Sequence, residues 1–534
     1  MRRYLFVGVA LVVALVVAGC GAGKSAQTAS TGGKGSSKPY PELRWGTIAF
    51  SGPLDWPRNA NGYEIYVQSL VTNGLLEYEA DGKVKLGLAS SVEHPDATTY
   101  VYHLRQVKFS DGKQMTAADV AFSLSRNLLL KESWTKPYWE DVASITTPSR
   151  STVVVKLKQP SAVFEDVVAF SSQVIEKAAA EKLSEKEIGT PGHLVIGAGP
   201  WKFDAYQPEA GVQLSRNPYW KGAPQPAQKI AIDLFKTEAS MGLAVRSHAI
   251  DGAFGYLSPK VFANIPEARM LTTAGINIVL ASANTTSPPF NDVHVRRALA
   301  YATDTAGMIK AFYPTGTATQ DATVLPASIF SGLGSSQQVG EMLGSLPKYE
   351  FSLAMARQEL AKSAYPHGFS TEIEVEAVAS GLVSAAEILA ADLAKIGIKA
   401  KVRELSGPEA VSVQFSGKTK IVLTEWAAPY FDPEAIMSLF LSPSQVNPPG
   451  AGFNTANYKN PKFDRLFSEL PKVTGSKRLQ MIGQMLKIEG EEAAYWPLYT
   501  HLTFSTLSNK YVLPGYSWWT MVLGPWALNV KLAE

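Results

Sequence analysis

The chain has 534 residues, 18% of them charged, with 50 Lys and Arg against 47 Asp and Glu and a single cysteine. That length exceeds what one hydrophobic core organises, so two lobes or more are expected. The near-neutral balance argues against a nucleic-acid partner, and one cysteine excludes an intramolecular disulfide framework.

Residues 1–19 read as a leader. Arg2 and Arg3 open it, and residues 4–19 carry no charge. That run is short of the roughly 20 residues a spanning helix needs and suits a signal-peptide core. It ends in Val17-Ala18-Gly19-Cys20, which resembles the bacterial lipobox. The resemblance implies a lipidated Cys20 as the first mature residue, with an extracytoplasmic, membrane-anchored location. Residues 20–40 follow as a tether. Their GAGKSAQTASTGGKGSSK run is rich in Gly, Ser, Thr and Ala and cannot bury a core.

The folded part begins near residue 41. Residues 43–50, LRWGTIAF, open as a strand. Residues 51–61, SGPLDWPRNAN, form a loop in which Trp56, Arg58 and Asn59 are expected to be exposed and available to a ligand. Residues 63–76 are expected to be helical. Tyr100, Tyr102 and Leu104 alternate as a half-buried strand. After the Asp111-Gly112 turn, Thr116 and Asp119 fit a capping box for a helix with Val120, Leu124 and Leu128 on one face.

Residues 276–304, INIVLASANTTSPPFNDVHVRRALAYATD, combine an apolar strand, a proline-containing turn and a helix. Asn291 or Asp292 caps the helix, and Val295, Ala298, Leu299 and Ala302 keep its period. The pattern suits either a unit inside one domain or a crossover between two lobes. Further on, Ile373, Val375 and Ala377 alternate. Ser384 and Glu387 fit a cap before Ile388, Leu389, Leu393 and Ile396, and Gly397 stops that helix ahead of a strand at 398–402. Such a β-α-β unit implies parallel strands and a right-handed crossover.

Catalytic patterns are missing from the sequence. The seven histidines (His94, His103, His193, His248, His294, His367, His501) form no i, i+4 pair and no HExxH, and there is neither a G-x-S-x-G nor a phosphate-binding loop. With Cys20 lipidated, no thiol is left for a nucleophile or a metal. The expectation is a non-enzyme with no cofactor and no metal site.

Five segments resemble the family-5 solute-binding proteins of bacterial peptide and nickel ABC importers. They are TYVYHLRQVKFSDGKQMTAADVAFSLSR at 99–126, GAGPWKFDAYQPEAGVQLSRNPYWKG at 197–222, residues 284–304, ADLAKIGIKAKVREL at 391–405, and NPKFDRLF at 460–467, all in the family's order. The resemblance implies an α/β fold of two lobes with two interlobe connections. Lobe I is expected at 41–280 plus 505–534, with an inserted subdomain at about 90–195, and lobe II at 281–504. It implies capture of a peptide or peptide-like solute by hinge closure, delivery to ABC permease subunits, and a monomer. The alternatives are a surface lipoprotein binding a cell-wall component or a metal chelate, or a secreted hydrolase.

The segment TEWAAPYFDP at 424–433 resembles the family's "G-W-x-x-D-x-x-D-P", whose first aspartate pairs with a peptide's α-amine. Pro429 stands at that position here. Either Glu425 or Asp432 takes over the amine, or the ligand has none. Trp426, Tyr430 and Phe431 are candidate pocket walls, with core packing as the plain alternative. For Asp432 the plain alternative is a helix cap before Pro433.

Overall fold

The computed structural model describes residues 35–534, apart from 49, 51, 60, 256, 263, 275, 378–379, 415 and 447–451. The leader, Cys20 and most of the tether lie outside the described residues.

Three larger sheets carry the architecture. A mixed seven-stranded sheet has the order Ala268–Thr273, Thr503–Ser508, Gly252–Phe254, Tyr40–Ile48, Ala227–Phe235, Gly211–Arg216 and Trp201–Gln207. A six-stranded sheet has the order Ala318–Gln320, Tyr495–His501, Asn277–Ala283, Ile421–Ala427, Ser370–Glu376 and Lys399–Leu405. An antiparallel four-stranded sheet is formed within residues 89–157.

The chain changes sheet twice. It leaves the seven-stranded sheet after Thr273 and enters the six-stranded one at Asn277; it returns between His501 and Thr503. All seven residues of Asn277–Ala283 are buried. The strand's two faces serve different cores. Val279, Ala281 and Ala283 pack with the helices of the second lobe. Ile278 and Leu280 join an aromatic-rich core shared with the first. Period-2 alternation between two apolar surroundings explains why the run reads as continuously apolar.

The C-terminal tail belongs with the N-terminal half. Trp526 stacks obliquely on Trp45 (centroids 4.6 Å) and its indole N–H donates to the Tyr66 carbonyl at 3.0 Å.

Local chemistry sets most element ends. Asp292 caps Val293–Ala302 by accepting from the His294 amide at 2.8 Å, and Val295, Ala298, Leu299 and Ala302 are buried. The Thr116 amide donates to Asp119 at 2.8 Å at the start of Ala117–Leu129. Ser370–Glu376 and Lys399–Leu405 pair in parallel around the helix Ser380–Ala394. The chain turns there through Gly397 at φ +90°, and Gly368 packs so closely that a Cβ on it would sit 2.1 Å from the Gly397 oxygen.

Three local expectations need correction. The helix before Gly397 starts at Ser380, not after Ser384, because Leu382 already belongs to its buried stripe with Ala385, Ala386, Leu389 and Leu393. The helix near residue 63 is only Gly62–Gln68, with Ser69 as its C-cap; a turn follows, and Leu76–Tyr78 is a strand. Trp56, Arg58 and Asn59, expected to be exposed, are not. Trp56 is 4% and Asn59 5% exposed, and Trp56–Arg58 forms a 3-10 turn. The prolines and polar groups of the 51–61 segment suggested a surface loop, but the carboxylate of Asp55 is tied by two hydrogen bonds, 2.8 and 2.7 Å, to buried Arg126, drawing the loop inward.

Candidate ligand cleft

Ile421–Ala427 runs antiparallel to Asn277–Ala283, with Trp426 opposite Ile278 and Ala427 opposite Asn277. Its C-terminal end therefore reaches the first sheet change, and residues 428–433 continue from there to the helix Glu434–Phe440. Alternation sends Ile421 and Leu423 into the second-lobe core and Trp426 toward the other face.

On that face the segment meets side chains from the first half of the chain. Trp426 lies edge-on to Trp134 at 6.3 Å and also touches Phe440 (5.8 Å) and Phe453 (5.3 Å). Tyr430 stacks on Phe170 at 5.8 Å and meets Tyr138 edge-on at 5.9 Å. Phe431 packs on Trp519 at 4.7 Å. The Tyr138 hydroxyl donates to the Ala435 carbonyl at 2.6 Å, a direct polar link across the two halves. The indole N–H of Trp426 and the hydroxyl of Tyr430 are buried and find no hydrogen-bond partner within the protein. Such groups cost free energy until something accepts from them.

Acidic groups of this segment are committed elsewhere. Asp432 receives Arg478 at 2.8 and 2.7 Å and also accepts the Glu434 amide at 2.9 Å. Arg478 reaches Glu434 as well, at 2.6 Å. Burial pushes the Glu434 carboxyl up to about 7, with Arg478 pulling it back. Glu425 receives Asn277 Nδ2 at 2.5 Å and His501 Nε2 at 2.9 Å. Burial also raises the Tyr430 phenol well above its ordinary value, so it stays a neutral donor.

Of the residues singled out from sequence, Trp426, Tyr430 and Phe431 come together at the seam with the first half of the chain, where Tyr430 is fully buried and the other two pack against the same core, the plain alternative weighed above. Glu425 and Asp432 lie in the same segment but turn to internal partners, Glu425 to Asn277 and His501 and Asp432 to Arg478. Trp56 acts one step behind the surface: its carbonyl accepts from the Trp134 indole at 2.8 Å and so helps hold that ring. Arg58 and Asn59 do not join the aromatic wall. Arg58 donates to the carbonyls of Glu185 (2.6 Å) and Ile188 (3.2 Å), and Asn59 to that of Pro53 (3.0 Å). Sequence reasoning missed Trp134, Tyr138 and Phe170. The cluster SWTKPYW at 133–139 was the available signal, with Trp134 and Tyr138 one helical turn apart. Among the described residues no group of three metal-ligating side chains comes together.

Two lobes joined by two crossings define a protein with the two-lobe periplasmic-binding fold. The chain matches the model of the bacterial extracellular solute-binding proteins, family 5, over residues 83–448, and it belongs to that family. It is 27% identical over 488 residues to heme-binding protein A of Haemophilus influenzae, covering 85% of this chain and 84% of that one. It is 28% identical over 405 residues to the glutathione-binding protein GsiB of Salmonella typhi, covering 73% and 75%. The solved periplasmic binding protein DppA of Helicobacter pylori, in complex with the peptide STSA, superposes with a TM-score of 0.82 at 21% identity, covering 93% of this chain and 99% of that one. The expected two-lobe α/β fold is therefore correct. No described helix is long and apolar enough to cross a membrane.

Proposed function

We propose that this chain is the extracytoplasmic substrate-binding lipoprotein of an ABC importer, anchored through Cys20. It captures a peptide-like or other small solute between lobes comprising about 41–280 plus 505–534 and 281–504, and passes it to a membrane permease. The observation that carries the reading is the aromatic seam beside the two chain crossings, where Trp426 and Tyr430 pack on the first-half residues Trp134, Tyr138 and Phe170 and would part if the lobes opened. Relatives named for heme, glutathione and peptide ligands support a small solute with flat or amide groups. The unpartnered Trp426 N–H and Tyr430 hydroxyl supply donors for it.

Ligand chemistry follows from the charges. Pro429 offers none, and Glu425 and Asp432 already hold internal partners. An incoming ammonium would have to compete with Arg478 or His501 for its counter-ion, so the segment favours a ligand without a free amine at this point. Calorimetry with matched peptides, free and N-acetylated, tests this. The free form should bind less than tenfold tighter, a margin of about 1.4 kcal/mol. A larger preference that disappears in Asp432→Asn or Glu425→Gln would return the amine to this segment.

Anchoring is tested separately. Full-length chain carrying Cys20→Ser should lose lipid-linked mass and appear unattached to membranes. A lipid-bearing mass on that variant would refute the anchor.

A further inference from the structure

We propose that the second lobe carries a ligand site of its own, apart from the cleft, which takes a linear aliphatic diamine in a cavity lined by Asp321 and Glu489. The cavity holds about 280 Å³ and lies among the strand Tyr495–His501, the helix Gly475–Glu492 and the segments 320–324 and 346–350. It touches the strand at its beginning, at Tyr495, Trp496 and Pro497, whereas the return crossing to the first lobe follows the strand's last residue, His501. A seven-residue strand spans about 20 Å, so the cavity stands well back from the crossing. None of Trp426, Tyr430 and Phe431 lines it.

Two acids give the cavity its chemistry. Glu489 is 2% exposed and Asp321 9%. Glu489 Oε1 accepts the Tyr495 amide at 3.0 Å, and Oε2 receives no hydrogen bond among the described residues. Asp321 is the first residue past the edge strand Ala318–Gln320, and its Oδ2 accepts the Thr500 hydroxyl at 2.5 Å. The two anchoring residues, Tyr495 and Thr500, are five positions apart on one strand, about 16 Å of backbone. The acids therefore stand apart along the cavity. That spacing suits two separate cationic groups rather than one metal ion, in keeping with the lack of any metal-ligating trio among the described residues.

The charge of the lining sets the charge of the ligand. Exposed Glu350 and Lys348 also line the cavity, so three acids face one base, a formal −2. A diamine, with an ammonium at each end, balances it. Arg296, whose charge Glu489 feels, commits its guanidinium to the carbonyls of Glu492 and Phe290, at 2.8 Å each, and leaves Glu489 Oε2 for another donor. Val324, Leu346 and Leu486 supply apolar wall for the methylene chain. Burial pushes the Asp321 and Glu489 carboxyls up to about 7 and about 8. An ammonium beside each favours the ionised form and offsets that burial.

The site requires nothing of the proposed importer role. Its test titrates full-length chain carrying Cys20→Ser with cadaverine by calorimetry at pH 7.5, against n-pentylamine and pentanediol. Cadaverine should bind about tenfold tighter than pentylamine, the scale of one hydrogen bond to a charged group, and the diol should not bind. Glu489→Gln and Asp321→Asn should each bring cadaverine down to the pentylamine level. Lys348→Glu, on the exposed rim, should bind it more tightly than the parent. Absence of cadaverine binding, no preference for the diamine over the monoamine, or an affinity untouched by both acid replacements overturns the site. If an acid replacement does not fold, the rim variant decides: a Lys348→Glu chain that binds cadaverine no more tightly than the parent overturns it.

Discussion

Replacing Arg478 with Met should destabilise the protein by about 3–5 kcal/mol, the cost of leaving buried charge without its partner. Arg478 is 2% exposed, and its guanidinium serves Asp432 through two hydrogen bonds and Glu434 through a third. Removing it leaves two adjacent carboxylates that repel each other in a dry site. Chemical denaturation at pH 8 measures the loss, and a deficit under about 1 kcal/mol would show the triad to be hydrated or dispensable. The deficit should shrink at pH 5. Glu434 is already raised to about 7 by burial. A carboxyl raised in the native state favours that state at low pH and loses this advantage as pH rises through the raised value. Adding Asp432→Asn and Glu434→Gln to Arg478→Met should recover most of the stability, because no charge is then left buried.

The second large effect has the opposite sign. Glu489→Gln should stabilise the protein at pH 9 by about 2–4 kcal/mol, taking about 1.4 kcal/mol for each tenfold change in proton affinity and discounting for water nearby. Glu489 is 2% exposed, and its one resolved hydrogen bond is from the Tyr495 amide at 3.0 Å. Burial, with Glu492 close by, pushes its carboxyl up to about 8 despite Arg296. Its side chain borders a cavity of about 280 Å³ in the second lobe, shared with Asp321 and Thr303. Stability from this group is complete below the ordinary glutamate range and is lost as pH climbs past 8. A glutamine keeps the acceptor for Tyr495 and has no charge to desolvate. Thermal melts of parent and variant should coincide near pH 5 and separate above pH 8; parallel melts throughout would place the pH dependence elsewhere.

Much of the scaffold was legible because it is local. Caps such as Asp292 and Thr116 act within three residues, and the strand at 277–283 announces its burial by an unbroken apolar run. Of the proposed cleft, only one side was legible. Trp426, Tyr430 and Phe431 belong to one short segment, whereas Trp134, Tyr138 and Phe170 lie more than two hundred residues away and are brought there by tertiary packing. Charge roles were least legible. Whether Asp432 meets a ligand or Arg478 depends on a helix 46 positions further along the chain. His501 stands in no motif, and its partners come from strands separated by 76 and 224 positions. The inward turn of the 51–61 loop was hidden for the same reason, since Arg126 lies on a different element.

The order of the seven-stranded sheet has a consequence for biogenesis. Ala268–Thr273 and Gly252–Phe254 do not pair with each other; each bonds to Thr503–Ser508, which sits between them. A growing polypeptide therefore leaves Gly252–Phe254 as an open sheet edge, and Ala268–Thr273 without a ladder partner among the described strands, until residues 503–508 are made. Two unpaired strand edges stay open through that interval, and open edges recruit other chains. The missing strand lies some 230 residues from its neighbours, so closure is a late, long-range event. For a polypeptide threaded outward N-terminus first, that delay keeps the emerging portion from completing a rigid lobe before translocation ends. Chains truncated before residue 503 should accordingly aggregate rather than fold into a half-size body.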